Sequence, residues 1–170
     1  YYVNIDPGAF EDAAGNPYAG ITDSTSLDFT TADTVAPTLV ATTPADGATG
    51  IPTDTNLVFT FDEPVYPTVG EVTIHRSDDG TVVEAIPVTS SQVSGVGTAT
   101  ITVNPTADLA TAAVGDARLL AAGTDYYVNV TPGAFQDNAG NPYAGITNPT
   151  GLNFTTADPG APQLLSSTPT

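Results

Sequence analysis

The sequence predicts an all-β protein: a seven-stranded antiparallel β-sandwich, repeated in tandem about every 125 residues. Three observations predict it. First, the block YYVNVTPGAFQDNAGNPYAGITNPTGLNFTTAD, residues 126–158, nearly repeats the opening block YYVNIDPGAFEDAAGNPYAGITDSTSLDFTTAD, residues 1–33. At an offset of 125, 25 of 33 positions are identical, and the match runs on weakly, VAPTLVATTP (35–44) aligning with GAPQLLSSTP (160–169). Second, segments rich in Val, Ile, Thr, Tyr and Phe alternate apolar with polar residues, the period of strands with one face inward. Third, 15 prolines and 16 glycines punctuate almost every connection and disfavour long helices.

A period of 125 residues supports a core of its own and is too long for a solenoid unit, which runs about 20–50 residues. The expected organisation is beads in a row. Residues 1–33 read as the last strands of a preceding repeat, 34–158 as a complete repeat, and 159–170 as the first strand of a following one.

Within the opening block, residues 1–5 read as a strand and 26–31 as its partner, with the turn-rich PGAFEDAAGNPYAGITD between them. Two strands alone are marginal in water, so this hairpin is expected to be completed by further chain or by a neighbouring molecule. DTVAP, residues 33–37, reads as a linker. Residues 38–42 form a first strand and PADGATGIP, 44–52, a loop. NLVFTF (56–61) sends Leu57, Phe59 and Phe61 inward; EVTIHR (71–76) sends Val72 and Ile74 inward. The chain turns at SDDG, where Asp79 followed by Gly80 is the hairpin signal, into TVVEAI. TATITV (98–103) places Ala99, Ile101 and Val103 on one face. Residues 126–130 and 152–156 complete the seven strands. The Ala/Leu-rich stretch 107–123 reads either as a short helix or, interrupted by Gly115, as irregular chain.

Composition excludes several function classes. Acids outnumber bases 19 to 2, there is no lysine, and the net charge is −17, which opposes nucleic acid and anionic membrane as partners. With no cysteine there is no disulfide or thiol chemistry. No apolar run approaches the ~18 residues of a spanning helix. The single histidine, His75, falls on the outward face of a strand with no neighbouring motif. No nucleophile elbow, phosphate loop or zinc spacing accompanies it, so no enzyme is expected.

LLAAGTDYYVNV, residues 119–130, resembles the fibronectin type III signature Leu-x-Pro-Gly-Thr-x-Tyr-x-Val. Leu120, Gly123, Thr124, Tyr126 and Val128 match, and Ala122 stands where proline is usual. The resemblance implies that Tyr126 is a tyrosine corner, its hydroxyl tied to upstream backbone. The complete repeat resembles the bacterial Ig-like repeats of large surface proteins and adhesins. APTLVATTPADGATGIPTDTNLVFTFDEPV carries the likeness at its start, and AGTDYYVNV, GAFQDNAGNPYAG and LNFTTAD at its end. That resemblance implies a non-enzymatic module of an extracellular, cell-surface fibre, an adhesin stalk or a filament subunit, often stiffened by calcium. Its partners would be neighbouring identical repeats or subunits, and glycans or host or cell-surface proteins. The alternative is a carbohydrate- or protein-binding module of a secreted protein.

The acids sharpen the calcium expectation. Between the two blocks Asp6 becomes Thr131, Glu11 Gln136, Asp23 Asn148 and Asp28 Asn153; only Asp12/Asp137 and Asp33/Asp158 are retained. In an Ig-like sandwich the chain enters at the end shared by the B–C and F–G loops. Asp33 in the entering linker, Asp62 and Glu63 in the B–C loop, and Asp137 with Asn141 in the F–G loop are therefore expected to lie together. Asp46, Asp116 and Asp125 are expected at the opposite end. Hard oxygens in such number suit calcium, which takes six to eight ligands. The same residues have a plainer reading, since Asp and Asn before Gly form turns by bonding their own backbone. DNAGN is also not an EF-hand loop. Of the aromatic residues, Phe135, Tyr143 and Tyr18 are expected to pin the long connection to the sandwich rather than to bind sugar. The glycosylation triplets at Asn129 and Asn153 fall within predicted strands.

Overall fold

In a computed structural model, which describes residues 1–105, 120–158 and 160, the chain divides into two compact units, Tyr1–Asp33 and a second that starts at Thr34. The stretch read as a short helix or irregular chain (107–123) falls mostly outside the described residues, as do Asp116 and nearly all of the expected following strand (159–170).

The second unit is a two-sheet β-sandwich. Its strands are β1 (Leu39–Thr43), β2 (Ala48–Ile51), β3 (Leu57–Pro67), β4 (Glu71–Arg76), β5 (Val82–Pro87), β6 (Val93–Ser94), β7 (Thr98–Val103), β8 (Asp125–Val130), β9 (Phe135–Gln136) and β10 (Asn153–Thr156). One sheet runs β1-β3-β7-β6, with β9 also on β3; the other runs β2-β10-β8-β4-β5. The inward alternation holds: Leu57, Phe59, Phe61, Ile101 and Val103 from the first sheet pack in one buried cluster with Val72, Ile74, Ile86, Tyr126, Val128 and Phe154 from the second. Side chains two apart share a face of a strand, so period-2 sequences bury one face and wet the other.

Three expectations are corrected. The described residues hold ten strand segments rather than seven, because β2, β6 and β9 are short pieces that composition hides. The segment read as the loop 44–52 contains β2, which pairs with β10 in parallel, so the sandwich is not wholly antiparallel. The strand expected to end at Phe61 runs on to Pro67. Proline normally stays out of strand interiors, and here the register breaks between Thr60 and Val65 to admit Pro64. The last two residues of β3 then pair with β9, Tyr66 with Gln136 and Pro67 with Phe135. The β4–β5 hairpin turns where Asp79 and Gly80 predicted it, with Gly80 at φ +73° and its amide donating to the Arg76 carbonyl at 3.0 Å.

The first unit, taken by itself, repeats the connection that follows β8. Val3 N–H donates to Leu27 O at 2.9 Å as Val128 N–H does to Leu152 O, and Ile5 N–H to Ile21 O as Val130 N–H to Ile146 O. The bridges Tyr2–Asp28, Ile5–Ile21 and Glu11–Pro17 match Tyr127–Asn153, Val130–Ile146 and Gln136–Pro142. In both copies a glycine crosses the start of the connection at positive φ. A Cβ on Gly20 would sit 2.6 Å from Ile5 O, and one on Gly145 2.5 Å from Val130 O. Only glycine fits that approach. The residues expected as two continuous strands, 1–5 and 26–31, pair through isolated bridges.

Candidate functional site

The long connection after β8 is fastened by aromatic side chains. Phe135 is fully buried, and Tyr143 nearly so. The Phe61 ring meets Phe135 at 5.9 Å and Tyr143 edge-on at 5.1 Å. These rings are sandwich anchors, as expected for Phe135 and Tyr143. The Tyr126 hydroxyl accepts the Ala121 N–H at 2.8 Å, the backbone tie that the tyrosine corner implies.

Just past β9 the chain turns through DNAGN. Asp137 N–H donates to Asn141 O at 3.1 Å. In return Asn141 donates its backbone N–H to Asp137 Oδ1 at 2.8 Å and its Nδ2 to Oδ2 at 2.6 Å. Asp137 is 1% exposed. Burial pushes its carboxyl up, but the hydrogen bonds from the Asn141 side chain and from the Asn141, Gly140 and Ala139 backbone together outweigh it and hold the group below its ordinary value. It is a buried carboxylate, ionised at neutral pH.

Carboxylate oxygens of Glu63 and Asp137 lie within 4.8 Å of each other. Glu63 sits half-buried in β3, and Asp137 is buried in the turn after β9. The donors are hard oxygens, a set that suits calcium or magnesium rather than zinc. Negative charges this close repel unless a cation or strong hydrogen bonding offsets them.

Of the five residues expected together, the structure groups Glu63 and Asp137 within the second unit, with Asn141 holding Asp137 in place, while Asp33 ends the first unit. Asp62 is outside the group. It was expected in a loop and lies instead within β3, where successive side chains point to opposite faces, so Asp62 and Glu63 cannot both aim at one point. Its oxygens accept from Thr38, the backbone N–H at 2.8 Å and the hydroxyl at 2.6 Å, and these bonds hold its carboxyl below its ordinary value. Asp62 thus clamps the start of β1. Asp46 and Asp125 bond to β10, Asp46 Oδ1 accepting from the Asn153 N–H and side-chain amide at 3.0 and 2.8 Å, and Asp125 from the Thr155 hydroxyl at 2.6 Å.

The turn itself is not specific to the cluster. In the first unit Asp12 accepts from the Ala14 and Asn16 backbone and from Asn16 Nδ2 in the same way, and its carboxyl is also lowered, chiefly by the Asn16 side chain. His75 stacks on Tyr127 at 4.6 Å, donates from Nδ1 to Gly80 O and takes the Thr73 hydroxyl at Nε2. Both ring nitrogens are thereby occupied by structural partners.

Comparison with known proteins places the fold. A family model described as bacterial Ig-like domain matches residues 33–156. Among solved structures, CopC from Methylosinus trichosporium OB3b is similar at a TM-score of 0.46 and 15% identity, over 75% of this chain and 99% of that one. A search of curated proteins returned no match.

Proposed function

The chain belongs to the bacterial Ig-like domain family, and from that premise we propose that it is a non-enzymatic structural repeat of an extracellular, cell-surface fibre, either an adhesin stalk or a filament subunit. The observation that carries the reading is the recurrence, 125 residues apart, of one 33-residue hairpin with one hydrogen-bond pattern. A chain that repeats a self-contained sandwich gains length and stiffness with each copy, and needs no reactive group to do so. The acidic, lysine-free composition suits an extracellular surface.

Calcium is the cofactor of this reading, held by Glu63 and Asp137, with Asn141 orienting Asp137. The ion would tie β3 to the turn after β9. The test is thermal unfolding of the chain with calcium, with magnesium and with chelator. A ligand bound only by the native state stabilises it by about 2.7 kcal/mol at a hundredfold excess over Kd. The expected rise is about 8–12 °C with calcium. It is expected to vanish in Glu63→Gln and persist in Asp12→Asn, which alters the same turn without a Glu63 counterpart in its hairpin. An unchanged midpoint in the unsubstituted chain removes the cation from the reading.

A further inference from the structure

The Tyr1–Asp33 hairpin carries an apolar face whose occupant the same chain displays. In the second copy of this sequence every equivalent side chain is covered. Phe10 is 63% exposed where Phe135 is 0%, and Phe29 is 52% exposed where Phe154 is 2%. Tyr1, Tyr18 and Leu27 are exposed where Tyr126, Tyr143 and Leu152 are buried. Tyr1 stacks on Phe29 and Phe10 lies beside Tyr18, and together the five leave roughly 500 Å² of apolar surface in water, of the order that marks a binding face. Ile5, Phe10, Pro17 and Tyr18 line a depression of about 480 Å³ on it.

What fills that place in the second copy is the body formed by β1 to β7. β4 pairs with β8, β2 with β10, β3 with β9, and the Phe61 ring lies against Phe135 and Tyr143. The backbone of the first hairpin is already set for the same docking, since its internal hydrogen bonds are those of the second.

The two hairpins differ at eight positions, and several of these touch the body. Asn153 donates twice to Asp46, and its counterpart is Asp28, which has no side-chain proton to give and would set carboxylate against carboxylate. Thr131 Oγ1 accepts from Glu71 N–H and donates to Glu71 O; a carboxylate such as its counterpart Asp6 can accept but has no proton to donate. Val130 is fully buried and its counterpart Ile5 is larger by one methylene. The body of this domain is matched to its own hairpin and mismatched to the first.

We propose that the Tyr1–Asp33 hairpin completes a separate sandwich body built like residues 34–125, and that this partner body carries no carboxylate at the position of Asp46. The acid-for-amide exchanges then act as an address. Two hairpins of nearly one sequence sort to two bodies because a wrong pairing brings Asp28 against Asp46. The inference rests on the repeat reading for the partner's identity and is independent of any cation.

The test keeps the whole chain and adds a copy of residues 34–125 ahead of Tyr1, in one form unchanged and in another with the copy's Asp46→Asn. Hydrogen exchange is followed at the amides of Val3 and Ile5. Docking is expected to slow them on the order of 100-fold relative to the unextended chain. The asparagine form is expected to be slower than the aspartate form by about tenfold, as one charge-assisted pairing predicts. Exchange unchanged by the extension overturns the docking. Equal protection in the two forms, or more with aspartate, overturns the address. Slow exchange in the unextended chain together with a dimer in sedimentation would assign the face to a second hairpin and overturn the partner. Asn153→Asp in the unextended chain reads the same clash from the other side and is expected to lower its thermal midpoint. None of these results bears on calcium, so a failure here is distinct from a failure of the stalk reading's cation test.

Discussion

Phe10 and Phe135 occupy the same place in two copies of one hairpin, so replacing each by alanine separates what the hairpin does from what the body does. Phe135 is fully buried against Phe61, whereas Phe10 touches Tyr18 at 6.5 Å and is mostly in water. Truncating a buried phenylalanine costs about 3–5 kcal/mol, the transfer of its ring plus the cavity left behind. A surface truncation usually stays within about 0.5 kcal/mol. In a sandwich of this size the first value corresponds to a drop of about 10–20 °C in midpoint. In urea it corresponds to about 1.5–2.5 M, taking a slope of about 2 kcal/mol/M, near the middle of the usual range. The chain has no tryptophan, so tyrosine fluorescence and far-UV circular dichroism follow the transition. Phe135→Ala is expected to shift the main transition by that amount, and Phe10→Ala to leave it in place. A Phe135→Ala loss below about 1 kcal/mol would refute the assigned anchoring role, being less than the ring's transfer term alone. An equal loss in both variants would refute the claim that Phe10 lies uncovered where Phe135 is packed.

Two other outcomes are expected. Tyr126→Phe removes the acceptor for the Ala121 N–H, but Ala121 is exposed and water can replace it, so the loss should be about 0.5–1 kcal/mol, a fall of about 2–5 °C in a thermal melt; a larger fall would mean the tyrosine corner does more than hold one amide. Asp62 has a folded-state carboxyl below its ordinary 3.8, so its bonds to Thr38 contribute fully above that value and are lost as pH falls through the lower folded one; midpoints measured from pH 6 down to pH 2 should therefore fall below about pH 4, and Asp62→Asn should make the fall shallower, an unchanged slope counting against the clamp.

The fold was legible where side chains alternate. Leu57, Phe59 and Phe61, or Val72 and Ile74, announce their strands because burying one face requires period 2. Tyr126 was legible through its neighbours Gly123 and Thr124. What stayed hidden has physical causes. β2 lies inside PADGATGIP, where Gly and Pro normally mark a loop, because an edge strand of four residues needs only a partner backbone, which β10 supplies. β3 continues across Pro64 because a register break removes the need for its missing N–H, and Pro67 stands at the strand's end. That continuation also misplaced Asp62: a loop would have let two neighbouring acids converge, and a strand turns them apart.

The cluster's own members differ in what their recurrence means. Asp137 is kept in both copies, yet Asp12 makes the same bonds to Asn16, so the turn alone accounts for an aspartate at that position. Glu63 places a charge in a half-buried strand position within reach of a buried carboxylate, while its neighbour Asp62 is held by Thr38. Carboxylates brought together in low dielectric raise one another's ionisation cost as they approach, and Asp137 is nonetheless held ionised by its turn. A buried anion that its turn keeps charged, with a further acid in reach, is a condition under which a divalent cation stabilises a fold. The calcium reading is therefore tested at Glu63, the acid that can be changed without touching the turn.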